Sequence, residues 1–158
     1  MKIEQQQKER LLYFNRYLMI RYMTAVFFFA NLYWLFFNGS YHQWTILFPI
    51  LLLILIIPVW KEQFQKYYTK ETNLTWTKRY YYIQSLVNIV LLISLCTPIY
   101  KLLLPFVNAD FKIMMIGVLI CGLIFCFLVE RKIIKLQTNQ DRYFKVIKQY
   151  ENQFENRR

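Results

Sequence analysis

The chain has 158 residues, 57% of them hydrophobic and 20% aromatic, and it carries 20 Lys and Arg against 9 Asp and Glu for a net charge of +11. A soluble domain of this size spreads its apolar residues over short amphipathic runs. Here they fall into long blocks with the charge confined between them, which excludes an ordinary soluble fold. The basic residues flank those blocks instead of forming a separate patch, so the charge points to a lipid surface and not to nucleic acid.

The expected architecture is an all-α integral membrane protein with four transmembrane helices arranged as two hairpins. Residues 1–16 lack Gly and Pro and predict a helix that runs into the first apolar block, 17–37. At about 1.5 Å per residue such a block crosses a hydrocarbon core of roughly 30 Å. No small-residue cleavage site follows it, so the segment is expected to stay in the mature chain. Asn38-Gly39-Ser40 supplies turn chemistry in the loop 38–43. The second block, 44–60, is the shortest, with Trp44 and Trp60 at its two ends, where indole rings favour the headgroup zone. Pro49 falls in its first turns and Pro58 near its end, where a missing donor does least harm.

The segment 61–81 follows, with a turn expected over 69–73 and Asn73 or Thr75 as the cap of the next helix. The third block, 82–104, is expected to kink at Pro98. Pro105 and Asn108-Ala109-Asp110 then make the turn 105–111 into the fourth block, 112–129. Eighteen Lys and Arg lie in the N-terminal segment, the central segment and the tail, and only Lys101 and Lys112 flank the opposite side. By the positive-inside rule both termini and the central segment are cytoplasmic, in a cell inner (plasma) membrane. Arg16-Tyr17 and Arg79-Tyr80 stand at the two hairpin entrances, but the interface selects such pairs anyway and they do not establish a repeat. By composition alone, scarce Gly, Pro and Ala beside abundant Ile, Phe, Tyr, Asn and Lys point to an AT-rich bacterial genome.

Nothing obvious stops the fourth helix beyond Gly122, so it is expected to run on into a cytoplasmic amphipathic helix over 130–158. Against this, Thr138 and Asp141 have capping-box spacing and could restart the helix after a break at Asn139. Ile133, Leu136, Gln140, Tyr143, Ile147, Tyr150 and Phe154 alternate steps of three and four, the spacing of a helix that seeks a groove or a partner helix. Phe144 and Val146 widen the stripe beyond a narrow seam. Two uses of this face stay open. It can fold back on the central segment or lie on anionic headgroups, or it can bind a membrane-protein partner or a second copy through Ile133, Leu136, Tyr143, Ile147, Tyr150 and Phe154.

Three polar residues inside the blocks stand out: Arg21, Asn31 and Asn88. Arg21, about one turn inside the first helix, is expected to snorkel to the headgroups, as is Lys101 at the end of the third block. Asn31 and Asn88 lie deeper and are expected to bond neighbouring helices, a contact of about 0.6 kcal/mol on average. The alternative is that they join Gln84, Ser85, Ser94 and Thr97 in lining a polar cavity. Gly117 and Cys121 form a small-xxx-small pair suited to close helix approach. Cys96, Cys121 and Cys126 all lie in apolar blocks, so no disulfide framework is expected. His42, the single histidine, reads as an interfacial ring.

Hydrolysis or group transfer needs a nucleophile with a positioned base, or a metal with several ligands. One histidine and no carboxylate inside a block supply neither, so no enzyme, no metal and no cofactor is expected. The same lack disfavours a proton-coupled carrier. The preferred class is a non-enzymatic membrane protein that binds a partner, as an accessory subunit, a membrane-held regulator or a toxin-immunity protein. The alternative is an oligomeric channel or pore lined by Asn, Ser and Thr faces.

Overall fold

A computed structural model describes residues 2–41, 44–65, 73–141 and 144–149, and no strand occurs among them. The elements are α1 (Lys2–Gly39), a 3₁₀ turn (Trp44–Ile46) leading into α2 (Leu47–Gln65), α3 (Thr75–Leu95), the single turn α4 (Tyr100–Leu103), a second 3₁₀ turn (Ala109–Phe111) and α5 (Lys112–Gln137). A further helical stretch covers 144–149. The four long helices close a ring in which α1 packs on α2 and α5, and α3 packs on the same two. One end of the bundle holds Arg16 and the other holds Asn38.

Among the described residues three stretches are long and apolar enough to cross a membrane: Phe14–Gly39, Trp44–Gln65 and Ala109–Gln137. α1 has 38 residues, about 57 Å, so it is nearly twice as long as the hydrocarbon core is thick. α3 is not among the three, because its 21 residues include Thr77, Lys78, Arg79, Gln84 and Asn88. Lys78 and Arg79 are exposed near its start, but most of its uncharged polar side chains are turned inward. Thr77, Tyr80, Tyr81, Gln84, Asn88 and Ser94 are buried, while Leu86, Ile89, Val90 and Ile93 are exposed. α1 shows the same inversion, with Thr24, Asn31 and Asn38 inside and Val26, Phe29, Leu32 and Phe36 outside. In water a helix buries its apolar stripe. Polar inside and apolar outside is the arrangement that suits a hydrocarbon solvent.

Several boundaries differ from the sequence expectation. α2 runs through Pro58 to Gln65, since a proline there removes one donor without displacing the helix. The third block does not stay helical to residue 104. Cys96 N–H and Thr97 N–H donate to carbonyls only three residues back, at 3.0 and 2.9 Å, and Pro98 has no donor to carry the helix on. The chain instead turns through α4, buries Leu104 and Val107, and stacks Phe106 on Phe37 at 5.3 Å across the Asn38 end of the bundle.

The start of α3 is not capped by Asn73 or Thr75. Leu74 occupies the cap position with no side-chain bond. Glu62 of α2 supplies the cap from outside, accepting from Trp76 N–H at 3.2 Å, Thr77 N–H at 2.8 Å and the Thr77 hydroxyl at 2.7 Å. A carboxylate there also meets the positive end of the helix dipole.

α5 does not continue as one rod into the tail, because it stops at Gln137 in a Schellman turn. Asn139 N–H donates to Leu136 O and Gln140 N–H to Lys135 O, with Asn139 at φ 54°, a left-handed conformation that Asn tolerates better than most residues. Asp141 then caps the following stretch by accepting from Phe144 N–H at 3.2 Å. The break thus falls at Asn139, with Asp141 as the cap, whereas Thr138 Oγ1 bonds back to Ile134 O.

Candidate functional site

The ring encloses two connected sets of polar side chains. In the first, Asn31 Nδ2 donates to Tyr80 Oη at 3.2 Å and to Gln84 Oε1 at 3.0 Å. Tyr80 Oη donates to the same Gln84 Oε1 at 3.1 Å, and Gln84 Nε2 donates to Asn88 Oδ1 at 3.2 Å. These residues join α1 to α3 across the middle of the ring. Gly122 of α5 lets the Asn88 amide fit, because a Cβ there would lie 2.8 Å from Asn88 Nδ2. Gly117 has open space around it, so close approach happens at Gly122 and not at the Gly117 and Cys121 pair.

The second set lies nearer the Arg16 end. Thr24 Oγ1 donates its one proton to Ile20 O at 2.8 Å and accepts from Tyr81 Oη at 3.1 Å and Gln63 Nε2 at 2.9 Å. Arg21 Nη2 donates to Gln63 O at 2.9 Å, and its guanidinium lies 4.7 Å over the Phe14 ring. Amides and hydroxyls satisfying one another set the register of α1, α2 and α3, since any slip leaves a polar atom unpaired in an apolar medium. No group of three or more His, Cys, Asp or Glu gathers among the described residues.

At the Arg16 end a buried ion pair ties α1 to the chain beyond α5. The side chains of Arg16 and Asp141 are each 1% exposed. Arg16 Nε lies 3.0 Å from both carboxylate oxygens, and Nη2 reaches Asp141 Oδ1 at 2.6 Å, Asn139 Oδ1 at 2.9 Å and Leu136 O at 3.1 Å. Phe144 covers the guanidinium at 5.2 Å. One arginine therefore takes up a carbonyl from the end of α5, the left-handed residue of its stop turn and the cap of the next stretch. Such a clasp fixes where the tail leaves the bundle.

The residues singled out from sequence are distributed as follows. Asn31 and Asn88 belong to one network, and Arg21 lies beside the second set, held to α2. Gln84 joins the network, while Ser94 and Thr97 spend their hydroxyls on carbonyls of their own helix, Leu91 O and Ser94 O. Of the tail stripe, Ile133 and Leu136 are fully buried and Ile147 is 2% exposed, so all three pack inside the chain. Tyr143, Tyr150 and Phe154, like His42, lie outside the described residues. The sequence pattern assigns no site role to Arg16, Thr24, Glu62, Gln63, Tyr80, Tyr81 or Asp141. Two signals point toward some of them: Tyr80, Gln84 and Asn88 recur every four residues, and Thr24, Asn31 and Asn38 every seven, each set on one helix face. Nothing local pairs Arg16 with a residue 125 positions away.

These features define a helical bundle whose interior polar groups are matched across helices from the Arg16 end to Asn31 and Asn88, with apolar outer faces. Comparison with protein families, with curated proteins and with solved structures finds no match for this chain.

Proposed function

We propose that the chain is a non-enzymatic membrane protein that acts by binding a membrane-protein partner, as an accessory subunit, a membrane-held regulator or an immunity protein. In this reading α3 is a fourth span and both termini are cytoplasmic in the cell's inner membrane. The length of α3, its apolar outward face and the clustering of Lys and Arg beyond the Arg16 end support that placement.

The observation that carries the reading is the spending of interior polar groups. Asn31, Tyr80, Gln84, Asn88, Thr24, Tyr81 and Gln63 bond to one another, which favours a structural interior over a water-filled path or a reaction site. Recognition then falls to the outward helix faces. On α1 the exposed Tyr22, Val26, Phe29, Tyr33 and Phe36 follow steps of four and three, the spacing of a helix-packing seam. The tail stripe with Ile133, Leu136 and Ile147 would serve a partner only with the clasp open.

Tagged full-length protein taken from its native membrane in mild detergent is expected to bring down one stoichiometric membrane companion. Phe29→Ala with Tyr33→Ala is expected to lose it. Recovery of a lone oligomer that passes ions in liposomes would replace this reading with the pore.

A further inference from the structure

We infer that Asn139 is the hinge of a two-state tail: the Arg16 clasp holds the chain bent there, and on release of the clasp α5 and the segment beyond it straighten into one helix. The inference concerns this chain alone and does not rest on the existence of a protein partner. From Gly122 to Arg158 the sequence holds no Gly or Pro after the first residue, so residue types favour an unbroken helix across the bend. The Schellman turn that interrupts it lacks both of its usual local supports. Its left-handed position is filled by Asn139 and not by Gly. The apolar contact that commonly spans such a turn is missing too, because Gln140 fills the position that would make it.

What holds the bend lies 120 residues away in sequence. In a continuous helix Leu136 O accepts from Gln140 N–H. Here Arg16 Nη2 takes that carbonyl at 3.1 Å, and Gln140 N–H goes back to Lys135 O instead, at 3.0 Å. The same guanidinium fixes the Asn139 side chain at 2.9 Å and grips Asp141 on the far side of the hinge. Asp141 adds a local cap at Phe144 N–H, but its carboxylate keeps that buried place only while Arg16 neutralises it. Thr138, Asn139 and Gln140 are exposed, so no core packing pins the hinge itself.

In the bent state Ile147 is buried and Phe144 lies over the Arg16 guanidinium. In one straight helix Ile147 stands on the same face as Leu136 and about 16 Å further along the axis, three turns away. Opening therefore carries an apolar side chain from inside the chain to the end of a rod, and the closed clasp masks that stripe. Both ions regain water on opening, so the pair resists it less than the loss of either residue alone would cost. Use of the stripe by a membrane companion rests on the proposed partner reading; the hinge does not.

The test uses the full chain in mild detergent with Cys96→Ala, Cys121→Ala and Cys126→Ala, and with nitroxide labels on Arg131→Cys and Lys148→Cys, two exposed positions. Pulsed electron resonance reads the distance between the labels. One straight helix sets these positions about 26 Å apart along its axis, and the native hinge is expected to give a value several ångströms shorter. Asn139→Ala and Asn139→Gly both lose the side-chain bond to Arg16, but only Gly is at ease in the left-handed turn. Asn139→Ala is expected to move the main peak to about 26 Å, and Asn139→Gly is expected to leave it short. Arg16→Gln is expected to lengthen the distance as Asn139→Ala does; should it not fold, the two changes at the exposed hinge decide. The native distance retained in Asn139→Ala would overturn the hinge, and retained in a folded Arg16→Gln it would overturn the clasp as its holder. A broad spread in place of one longer peak would overturn the straight helix, and equal lengthening in Asn139→Gly would overturn the role of the left-handed turn. Each of these results leaves the capture of a protein companion untouched, so the two readings fail separately.

Discussion

Asn31 and Asn38 lie on the same face of α1, seven residues apart, and are 3% and 0% exposed. Asn31 bonds two partners on α3. Among the described residues Asn38 has no partner for either side-chain polar atom, and the buried Trp34 Nε1 and Thr45 Oγ1 nearby in sequence are also unpaired. The two amides divide the bundle. Toward the Arg16 end, polar groups are matched across helices and dictate register. Toward the Asn38 end, packing is set by Phe37 against Phe106 and by the buried Leu104 and Val107. The difference teaches that burial of an amide says nothing about its contribution, because the sign depends on whether a partner is within reach.

The largest test of that division is Asp141→Ala. It strips a buried arginine of its counter-charge and removes the cap at Phe144, and is expected to destabilise the chain by about 3–5 kcal/mol. Equilibrium unfolding of the detergent-solubilised protein measures it. The double change Arg16→Met with Asp141→Leu removes both charges and is expected to recover most of the loss. If it does not, the clasp acts through more than its charge pair.

Gly122→Val comes next, at about 1–3 kcal/mol, because the Asn88 amide cannot swing away without breaking its bond to Gln84. Gly117→Val, in open space, is expected to be close to neutral in the same melts, and equal effects would refute the placement of the close approach. Asn31→Leu leaves Tyr80 and Gln84 short of a donor and is expected to cost about 1–2 kcal/mol. Glu62→Ala uncaps α3 at about 1 kcal/mol, readable as faster amide exchange at Trp76 and Thr77. The smallest effect, and the one of opposite sign, is Asn38→Leu. It removes an unpaired amide from an apolar site and is expected to raise the melting temperature by the equivalent of up to about 1 kcal/mol. A destabilisation there as large as that of Asn31→Leu would erase the contrast between the two ends.

Much of the fold is legible in residue order. Helix periodicity and block length are local properties, so the helical character and the first, second and fourth apolar stretches follow from the amino-acid sequence alone, whereas the break at Asn139 is legible there only as the alternative to one continuous rod. Arg21, Asn31 and Asn88 stand out for the same reason, since a polar group inside an apolar run is visible wherever it sits. The third block reads too long in sequence because hydropathy does not register where hydrogen bonding fails, and the helix ends at Leu95 although the apolar run goes on.

What only the tertiary structure decided is who answers whom. Glu62 capping α3, Arg16 gripping Asp141, and Asn31 satisfied where Asn38 is not are all consequences of helices meeting across the ring. A hydrogen bond reaches about 3 Å. The chain order that brings two side chains within that distance spans dozens of residues, and no local pattern records it.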